Sequence, residues 1–434
     1  MHVFILEMEA LRSFGEATFA SLKIRNYRLY FIGQGLSDVG TWMQVVAMGW
    51  LVLELTGSGV QLGSILAFRF APLLALGILA GNVVDSFDKR KLLYATQFVS
   101  ALLALMMSAL IYTDTIEMWM LYLVALFFGL VDVIDRPSRQ TFVHEIVGPK
   151  YLKNAVALGS TRANLARALG PLFAGTLIAS AGIAFCYFAN SLSFVACLIA
   201  LFLMRREELH RELHEERKVD HVLAGLFYAA SVPLIRTILI SVAVIGTLAY
   251  EFQTSLPLLA YTTFLGSAAD YAALLSAMGA GSVAGGLFSA SRKEIGAHEF
   301  VVWVFLFGLS VCVTAVMPSL GLATVAMVFV GFFSINMSST ANTMVQLESA
   351  PHMRGRVMSL WSMAIFGSTL IGAPVIGFVG EYVSPRWALA LGGVAAILAA
   401  LFAARRLLKV HELFSIPAFV WIRREEATIE DTKV

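Results

Sequence analysis

The sequence predicts an all-α polytopic membrane protein in which twelve transmembrane helices form two pseudo-symmetric bundles of six. Three observations lead to this fold class: the composition, the regular spacing of apolar runs, and the positions of the basic residues between them. Hydrophobic residues make up 59% of the 434 residues and charged residues 14%. Soluble domains average roughly 45–50% apolar and about 25% charged residues, so this composition excludes a water-soluble globule.

Apolar runs follow one another along the chain, six on each side of a charged linker. Each has about the ~20 residues that a helix needs to cross a hydrocarbon core of ~30 Å. The predicted spans are 29–55, 61–84, 91–112, 118–135, 154–179, 183–204, 234–261, 271–290, 300–317, 320–344, 357–382 and 387–407. We expect a cytoplasmic N-terminal segment, a first bundle, a cytoplasmic linker with an amphipathic helix, a second bundle and a cytoplasmic tail. These regions cover residues 1–28, 29–204, 205–233, 234–407 and 408–434.

The basic residues test this topology independently. With the N-terminus in the cytoplasm, Arg386 is the only one of the 31 Lys and Arg residues assigned to an outer loop. Arg69, Arg162 and Arg167 lie within spans, and the others fall in cytoplasmic segments. Cytoplasmic loops of membrane proteins carry an excess of Lys and Arg. We therefore expect a multi-pass protein of the cell (inner) membrane with both termini in the cytoplasm and, without a basic-then-apolar leader, no cleaved signal peptide.

The two halves also correspond in sequence. Glu145 and Pro171 in the first half match Glu348 and Pro374 in the second half at the same offset. Many carriers use two related halves to hold a binding site at mid-membrane, between bundles that rock against each other. The repeat therefore favours a carrier.

Sequence motifs of several other classes are absent. The chain has no His-Glu-x-x-His, Gly-x-Ser-x-Gly or phosphate-cradling Gly-Lys-Ser/Thr motif. Cys186, Cys197 and Cys312 lie in apolar runs without the spacing of a disulfide or a metal site. The net charge of +2 indicates no nucleic-acid partner. We expect no enzyme activity, no metal and no cofactor, so an ion gradient or the solute's own gradient must supply the energy.

A polar turn between the second and third spans reads Gly81-Asn82-Val83-Val84-Asp85-Ser86-Phe87-Asp88-Lys89-Arg90-Lys91. It resembles the signature loop between helices 2 and 3 of the major facilitator superfamily of transporters. Ser86 replaces the usual basic residue and Asp88 the usual glycine. Residues 136–140, 154–158, 168–175 and 354–360 are similar to the exporter branch that includes enterobactin and macrolide efflux proteins. The resemblance implies a proton-coupled exporter of drugs or of a siderophore-like metabolite.

The fifth span contains Ala168-Leu169-Gly170-Pro171-Leu172-Phe173-Ala174-Gly175. This stretch resembles the Gly-Pro motif of exporters in the same superfamily. Small residues let helices approach closely, and proline bends a span. We expect Gly170, Pro171 and Gly175 to form a helix-packing site.

Two acids within spans are candidates for proton coupling. Asp38 and Glu251 each lie in the first span of their half, in an otherwise uncharged run. An ionisable side chain at mid-helix costs roughly 2.5–3.5 kcal/mol and usually marks a functional site. A proton carrier also needs partial burial and a charge partner that changes with conformation. The alternative is that either acid caps a helix break or pairs permanently with an arginine.

A second charged group is expected at the cytoplasmic gate. Asp132, Asp135 and Arg136 share one helix face because they are three or four residues apart, and Arg139 is a candidate partner for Asp85. In one interpretation this helix face binds the polar turn at 81–91 and closes the gate. In the other interpretation its residues form only a structural ion pair. The gate and loop candidates are Gly81, Asp85, Asp88, Lys89, Arg90, Asp132, Asp135, Arg136 and Arg139.

A third group is expected to line the substrate cavity. Arg69 has no opposite charge within one helical turn, so its partner lies on another helix or on an anionic ligand, with a fixed tie to Asp38 as the alternative. Arg162 and Arg167 lie about 140° apart around a helix, so they cannot both face the cavity. Amides within a membrane need partners. The cavity candidates are Arg69, Gln44, Gln253, Asn336, Asn342 and Arg162.

Together these features predict a secondary active transporter that exports a hydrophobic or amphipathic small molecule by alternating access and proton antiport. Its expected partners are this substrate, protons and the lipid bilayer, and we expect a monomer. A lipid or lysophospholipid flippase, or a uniporter of the same fold, is the alternative. A more remote alternative is a non-transporting membrane sensor or an intramembrane enzyme.

Overall fold

The computed structural model describes residues 18–210, 222–292 and 295–408. For residues 78–83, 85 and 222–224 within these ranges it describes the backbone only. Over the described chain the regular structure is helical, and none of these residues forms a strand. The predicted all-α polytopic fold is confirmed.

The helices occupy most of the described chain. In chain order they are α1 (Arg25–Thr56), α2 (Gly59–Ser86), α3 (Lys89–Tyr112), α4 (Met118–Ala181), α5 (Ile183–Leu203), α6 (Val222–Ser231), α7 (Pro233–Leu248), α8 (Phe252–Leu258), α9 (Ala268–Ser291), α10 (Ala297–Val316), α11 (Leu320–Glu348), α12 (Arg354–Ser362), α13 (Thr369–Tyr382) and α14 (Pro385–Leu407). Two π-helical turns, Leu259–Thr263 and Met363–Gly367, extend α8 and α12.

Within the described ranges, 11 helical segments are long and apolar enough to cross a membrane. One of them, α4, has 64 residues and contains two spans, which meet at Gly148. The φ angle of Gly148 is 65°, in the left-handed region that favours glycine. We call the parts of α4 before and after Gly148 its first and second limbs. Counting both limbs gives the twelve spans that the sequence predicts.

The largest difference from the predicted span boundaries lies within α4. The sequence places a loop at 136–153, whereas in the structure the helix continues through Pro137 to the break at Gly148. Within this stretch Arg139 is partly buried and contacts Asp135 one turn earlier. Their pairing allows the helix to extend beyond the apolar run.

The two halves pack by corresponding helices. In the first half α3 packs against α5 and α2 against α4, and in the second half α10 packs against α14 and α9 against α11. The largest contacts between the halves are made by two helix pairs, α2 with α13 and α4 with α9. The second span therefore meets the eleventh, and the fifth meets the eighth, as expected for two similar bundles.

The halves approach each other most closely at one end of the bundle. Helices α1 and α3 begin at the same end of the bundle, and α3 opens with three cations. We call this end the basic end and the other one the opposite end. A Cβ atom added to Gly63 of α2 would lie 2.2 Å from the carbonyl oxygen of Ala373 in α13. One added to Gly175 of α4 would lie 2.8 Å from the Cβ atom of Ala272 in α9. Glycine at these positions lets the two halves seal the opposite end.

The linker contributes a helix at the basic end. Helix α6 falls within the region where the sequence predicts an amphipathic helix, and residues 211–221 before it lie outside the described ranges. The hydroxyl of Tyr228 accepts a hydrogen bond of 2.9 Å from the backbone N–H of Ala350. A Cβ atom added to Gly225 would lie 2.8 Å from that of Arg356. Helix α6 therefore packs against the start of α12.

Candidate functional site

Seven charged residues, all singled out from the sequence, form two ion-paired clusters within the first half, which we together call the charged network. They are Asp38 in α1, Arg69 in α2, Asp132, Asp135, Arg136 and Arg139 in the first limb of α4, and Arg162 in its second limb. The network ties three helices together and contains four arginines for three aspartates. Ionic groups within a membrane protein normally pair in this way because unpaired charges are costly there.

Asp38 is held between two arginines. Nε of Arg162 donates to Oδ2 of Asp38 at 2.9 Å, and Nη1 of Arg139 lies 3.4 Å from Oδ1. Nε2 of Gln34, one turn earlier in α1, donates to the same Oδ1 at 2.8 Å. The Arg162 guanidinium also lies over the ring of Tyr30, 5.7 Å from its centre. Asp38 is therefore an arginine-paired acid in this conformation, and Arg162 is its main partner.

Asp135 connects the network to α3. It is buried, and its Oδ1 accepts hydrogen bonds from Oγ1 of Thr96 at 2.7 Å and Nε2 of Gln97 at 3.0 Å. Its other oxygen contacts Nε of Arg139. Arg139 therefore bridges Asp135 and Asp38. Its predicted contact with Asp85 stays a prediction, because the side chain of Asp85 lies outside the described residues.

Asp132 is shared by two arginines from different helices. Its Oδ2 lies 3.3 Å from Nη2 of Arg69 and 3.3 Å from Nη2 of Arg136. Arg69 therefore has its partner on another helix, as the sequence required, and this partner is Asp132 rather than Asp38. The Arg136 side chain is 42% exposed, and its guanidinium lies 5.5 Å from the ring centre of Phe366 in the second half. Arg136 thus borders the interface between the halves.

Glu251 lies at a break in the seventh span. It precedes α8, and its backbone oxygen accepts hydrogen bonds from the N–H groups of Thr254 and Ser255. Its side chain is almost fully buried, hydrogen-bonds with Thr369, and leaves Oε1 with no hydrogen-bond partner. A Cβ atom added to Gly372 of α13 would lie 2.9 Å from Oε1. Among the described residues no Lys or Arg forms an ion pair with Glu251.

The four predicted cavity amides have different surroundings. Gln44 is buried, and its Oε1 accepts a hydrogen bond of 2.5 Å from Nδ2 of Asn190. Asn336 is also buried and donates to the carbonyl of Phe332 at 2.8 Å. Asn342 is partly exposed and accepts from Gln346 at 2.5 Å. Gln253 is partly exposed and follows Glu251 by two residues. Gln44 and Asn336 thus bond within the helix packing, and a cargo contact by any of the four stays a prediction.

The described residues of the signature turn stabilise helix ends. Asp88 precedes α3, and its carboxylate accepts a hydrogen bond of 3.2 Å from the backbone N–H of Lys91. Nζ of Lys89 donates to the carbonyl of Phe87 at 3.0 Å. Nη2 of Arg90 donates to the carbonyl of Leu201 at 2.6 Å, at the end of α5. A cation at the C-terminus of a helix is favourable. Gly81 lies where only the backbone is described.

The Gly-Pro stretch packs on both sides of α4. A Cβ atom added to Gly170 would lie 2.4 Å from that of Trp42 in α1, so this glycine allows α4 to contact α1. Gly175 faces α9 in the second half, as described above. Pro171 lies inside α4 between them. The stretch therefore lies between α1 and the other half, and its role as a packing motif stays a prediction.

Two further features were not predicted from the sequence. The Arg167 guanidinium lies 5.3 Å from the ring centre of Trp42 and forms no ion pair with any described residue. At the opposite end, Oε2 of Glu381 accepts hydrogen bonds from Oγ of Ser58 at 2.6 Å and from the N–H of Val60 at 2.9 Å. Ser58 and Glu381 belong to different halves, and no local sequence signal pairs residues this far apart.

Two packed helical bundles with ion-paired residues inside the first bundle define the class of the molecule, a multi-pass membrane carrier. The particular family follows from comparison with known proteins. Residues 16–429 match the family described as "Transmembrane secretion effector" (MFS_3), and the chain belongs to this family of the major facilitator superfamily. The resemblance noted in the sequence is thereby confirmed.

Several transporters are similar to this chain over most of its length. The staphyloferrin A transporter of Staphylococcus aureus is 24% identical over 82% of this chain and 91% of its own. The multidrug efflux pump Tap of Mycolicibacterium fortuitum is 25% identical over 79% of this chain and 86% of its own. The enterobactin exporter EntS of Salmonella typhi is 23% identical over 86% of this chain and 90% of its own. A bacterial homologue of the human lysosomal transporter Spinster, solved in an inward-facing and occupied conformation, superposes with a TM-score of 0.70 at 13% identity, covering 88% of this chain and 97% of its own.

Proposed function

We propose that this protein exports a hydrophobic or amphipathic small molecule, a drug or a siderophore-like metabolite, by proton antiport with alternating access. It acts in the cell (inner) membrane, with the basic end and both termini in the cytoplasm. The names of the relatives support this class of cargo. The observation that carries the proton-coupling part is the burial of Glu251 at a helix break without a cationic partner.

Glu251 suits a group that takes up and releases a proton. Burying a charged carboxylate without a partner is costly, whereas the neutral acid can be buried with a single hydrogen bond. Thr369 supplies that hydrogen bond. Gly372 has no Cβ atom, and this leaves space beside Oε1 of Glu251. Both neighbours belong to α13, which also packs against α2 of the first half. A shift of α13 at its contact with α2 would therefore change the surroundings of Glu251.

Asp38 suits a different part of the cycle. Two arginines contact its carboxylate, so a change of partner at Asp38 would have to release Arg139 or Arg162. Arg139 already contacts Asp135 and can shift toward it without losing all carboxylate contact. We infer that Asp38 and Asp135 exchange Arg139 as the gate opens and closes. In this interpretation the gate therefore includes α1 as well as the charged face of α4.

The cycle needs two states that are closed at alternate ends. In this structure glycine-lined contacts between α2 and α13 and between α4 and α9 close the opposite end. The charged network lies between those contacts and the basic end, where Arg136 is the most exposed of its members. This arrangement supports a state that receives cargo from the basic end.

The test is transport by the purified full-length protein in sealed vesicles with an imposed pH difference. Ethidium and enterobactin serve as probes of the two cargo classes. We expect the wild-type protein to accumulate at least one probe against its gradient. Glu251→Gln should lower this accumulation by tenfold or more, because glutamine cannot carry a proton. Exchange of probe without a pH difference should persist in this variant.

The matched control is Glu54→Gln. Glu54 is an exposed acid near the opposite end, and its carboxylate accepts a hydrogen bond of 2.7 Å from Nε1 of Trp50. This variant should transport as the wild-type protein does. Full gradient-driven accumulation by Glu251→Gln would exclude Glu251 as the proton carrier. Wild-type transport that ignores the pH difference would point to the uniporter alternative.

A further inference from the structure

Arg167 differs from every other arginine on the inner helices of the first half. Arg69, Arg136, Arg139 and Arg162 each contact an aspartate within 4 Å, whereas no described carboxylate lies within ion-pair distance of Arg167. Its Nε atom is buried and has no hydrogen-bond partner in the described part of the chain. An unpaired guanidinium within a membrane protein is costly unless a ligand completes its surroundings.

The position of Arg167 is the junction of the two halves. The backbone of Arg167 and Ala168 packs on α9, where a Cβ atom added to Gly279 would lie 2.9 Å from the Arg167 carbonyl oxygen. Tyr250, in the broken seventh span, also lies near Arg167. Its hydroxyl hydrogen-bonds with Oγ of Ser334 at 2.6 Å. Side chains of both halves, Trp42 and Tyr250, therefore lie near Arg167.

Trp42 defines how a ligand would meet Arg167. The guanidinium carbon lies 5.3 Å from the indole centre, within the range of a cation–π contact. Both side chains are partly exposed. A planar guanidinium that rests on an aromatic ring keeps its N–H edge available, and this edge matches a carboxylate with two parallel hydrogen bonds. The indole in turn offers an apolar face to a ring attached to that carboxylate.

The charge balance of the interface also favours an anion. The charged network of the first half already contains one more arginine than it has aspartates. Arg167 adds a second uncompensated cation, and Glu251 is the only fully buried acid among the described residues of the second half. Charge of one sign in a cleft of low dielectric attracts ligands of the opposite sign.

We propose that Arg167 and Trp42 form the site for an aromatic carboxylate, or an equally planar aromatic anion, in the transported molecule. This inference rests on the proposed function, because it names the class of cargo that the carrier accepts. Arg167 is a specificity-determining residue in this view. Arg162, which the sequence favoured for the cavity, holds Asp38 instead.

The test is equilibrium binding of anthracene-9-carboxylate and of its uncharged methyl ester to the purified full-length protein in detergent. The two probes share one ring system and differ in charge. We expect the wild-type protein to bind the carboxylate more tightly than the ester. Arg167→Gln should weaken carboxylate binding by about tenfold or more, as expected for the loss of a charge-assisted hydrogen bond. Ester binding should change less than twofold, which also shows that the variant is folded.

Arg167→Lys is the second variant. Lysine keeps the charge without the planar fork, so we expect an intermediate carboxylate affinity that still exceeds that of Arg167→Gln. A wild-type protein with no preference for the carboxylate would overturn the proposal. The proposal would also be overturned if Arg167→Gln weakened the binding of both probes equally while Arg167→Lys bound both normally. If Arg167→Gln loses both probes by misfolding, Arg167→Lys decides through the presence or absence of carboxylate preference. The assay uses no gradient, so its outcome is separate from coupling through Glu251.

Discussion

The inner surfaces of the two halves carry charge in different ways. In the first half four arginines and three aspartates form two ion-paired clusters that involve α1, α2 and both limbs of α4. In the second half Glu251 is buried at a helix break and forms no ion pair with a described residue. Removing one partner of a buried pair strands the other charge. An acid without a cation can change its protonation without breaking a pair. The paired half is therefore suited to hold a conformation, and the unpaired acid to exchange a proton.

The sharpest test of this comparison makes the same acid-to-amide change in both halves. Asp38→Asn leaves Arg139 and Arg162 short of a carboxylate and should lower the free energy of unfolding by about 2–3 kcal/mol. This is below the range of ~3–5 kcal/mol for fully buried pairs because the site is partly exposed. Glu251→Gln removes no pair and should change the free energy by less than about 1 kcal/mol. Denaturant unfolding of both variants in one detergent measures the difference, and equal losses would refute the comparison.

A smaller effect is expected at the contact between α2 and α13. In Gly63→Ala the new Cβ atom would lie 2.2 Å from the Ala373 carbonyl oxygen, so the closed opposite end should be disfavoured by about 1–3 kcal/mol, as for overpacking elsewhere. The measurement is the distance between spin labels at Asp114→Cys and Pro318→Cys in a cysteine-free background. Both positions are exposed, and there is one in each half. We expect a longer, broader distribution.

Gly159→Ala is the control for this change. Gly159 also lies inside a helix, but an added Cβ atom would meet nothing within 4 Å. Its label distances should match those of the parent protein. If both alanine variants gave the parent distribution, the Gly63 contact would not hold the halves together.

The smallest effect is expected for Glu381→Gln. Its carboxylate accepts hydrogen bonds from Ser58 and Val60 across the interface, close to solvent. Glutamine keeps one acceptor oxygen and loses the charge, so the closed population in the same label experiment should fall by about twofold, equivalent to ~0.5 kcal/mol. A shift as large as that of Gly63→Ala would mean that this contact, rather than glycine packing, seals the opposite end.

The charge spacing predicted local contacts well and distant contacts poorly. Asp132 and Arg136 are one helical turn apart, and their expected contact forms in the structure. Arg139, for which the sequence predicted Asp85 as a partner, also contacts an acid one turn earlier, Asp135. The partners of Arg69 and of Asp38 across helices are 63, 101 and 124 residues distant in sequence. Which of several acids meets which arginine depends on helix rotation and depth, and neither property is encoded within one helical turn.

The sequence by itself predicted the number of spans and their arrangement in two halves, because an apolar run must match the thickness of a bilayer and the loop charges must alternate. Its resemblance to known motifs, such as the turn at 81–91, indicated the family. Tertiary structure alone decided that Arg162 holds Asp38 while Arg167, five residues later, rests on Trp42 without a carboxylate. The physical reason is that five residues turn an α-helix by about 140°. Two arginines on one helix therefore meet different neighbours, and only the packing of the surrounding helices determines which neighbours those are.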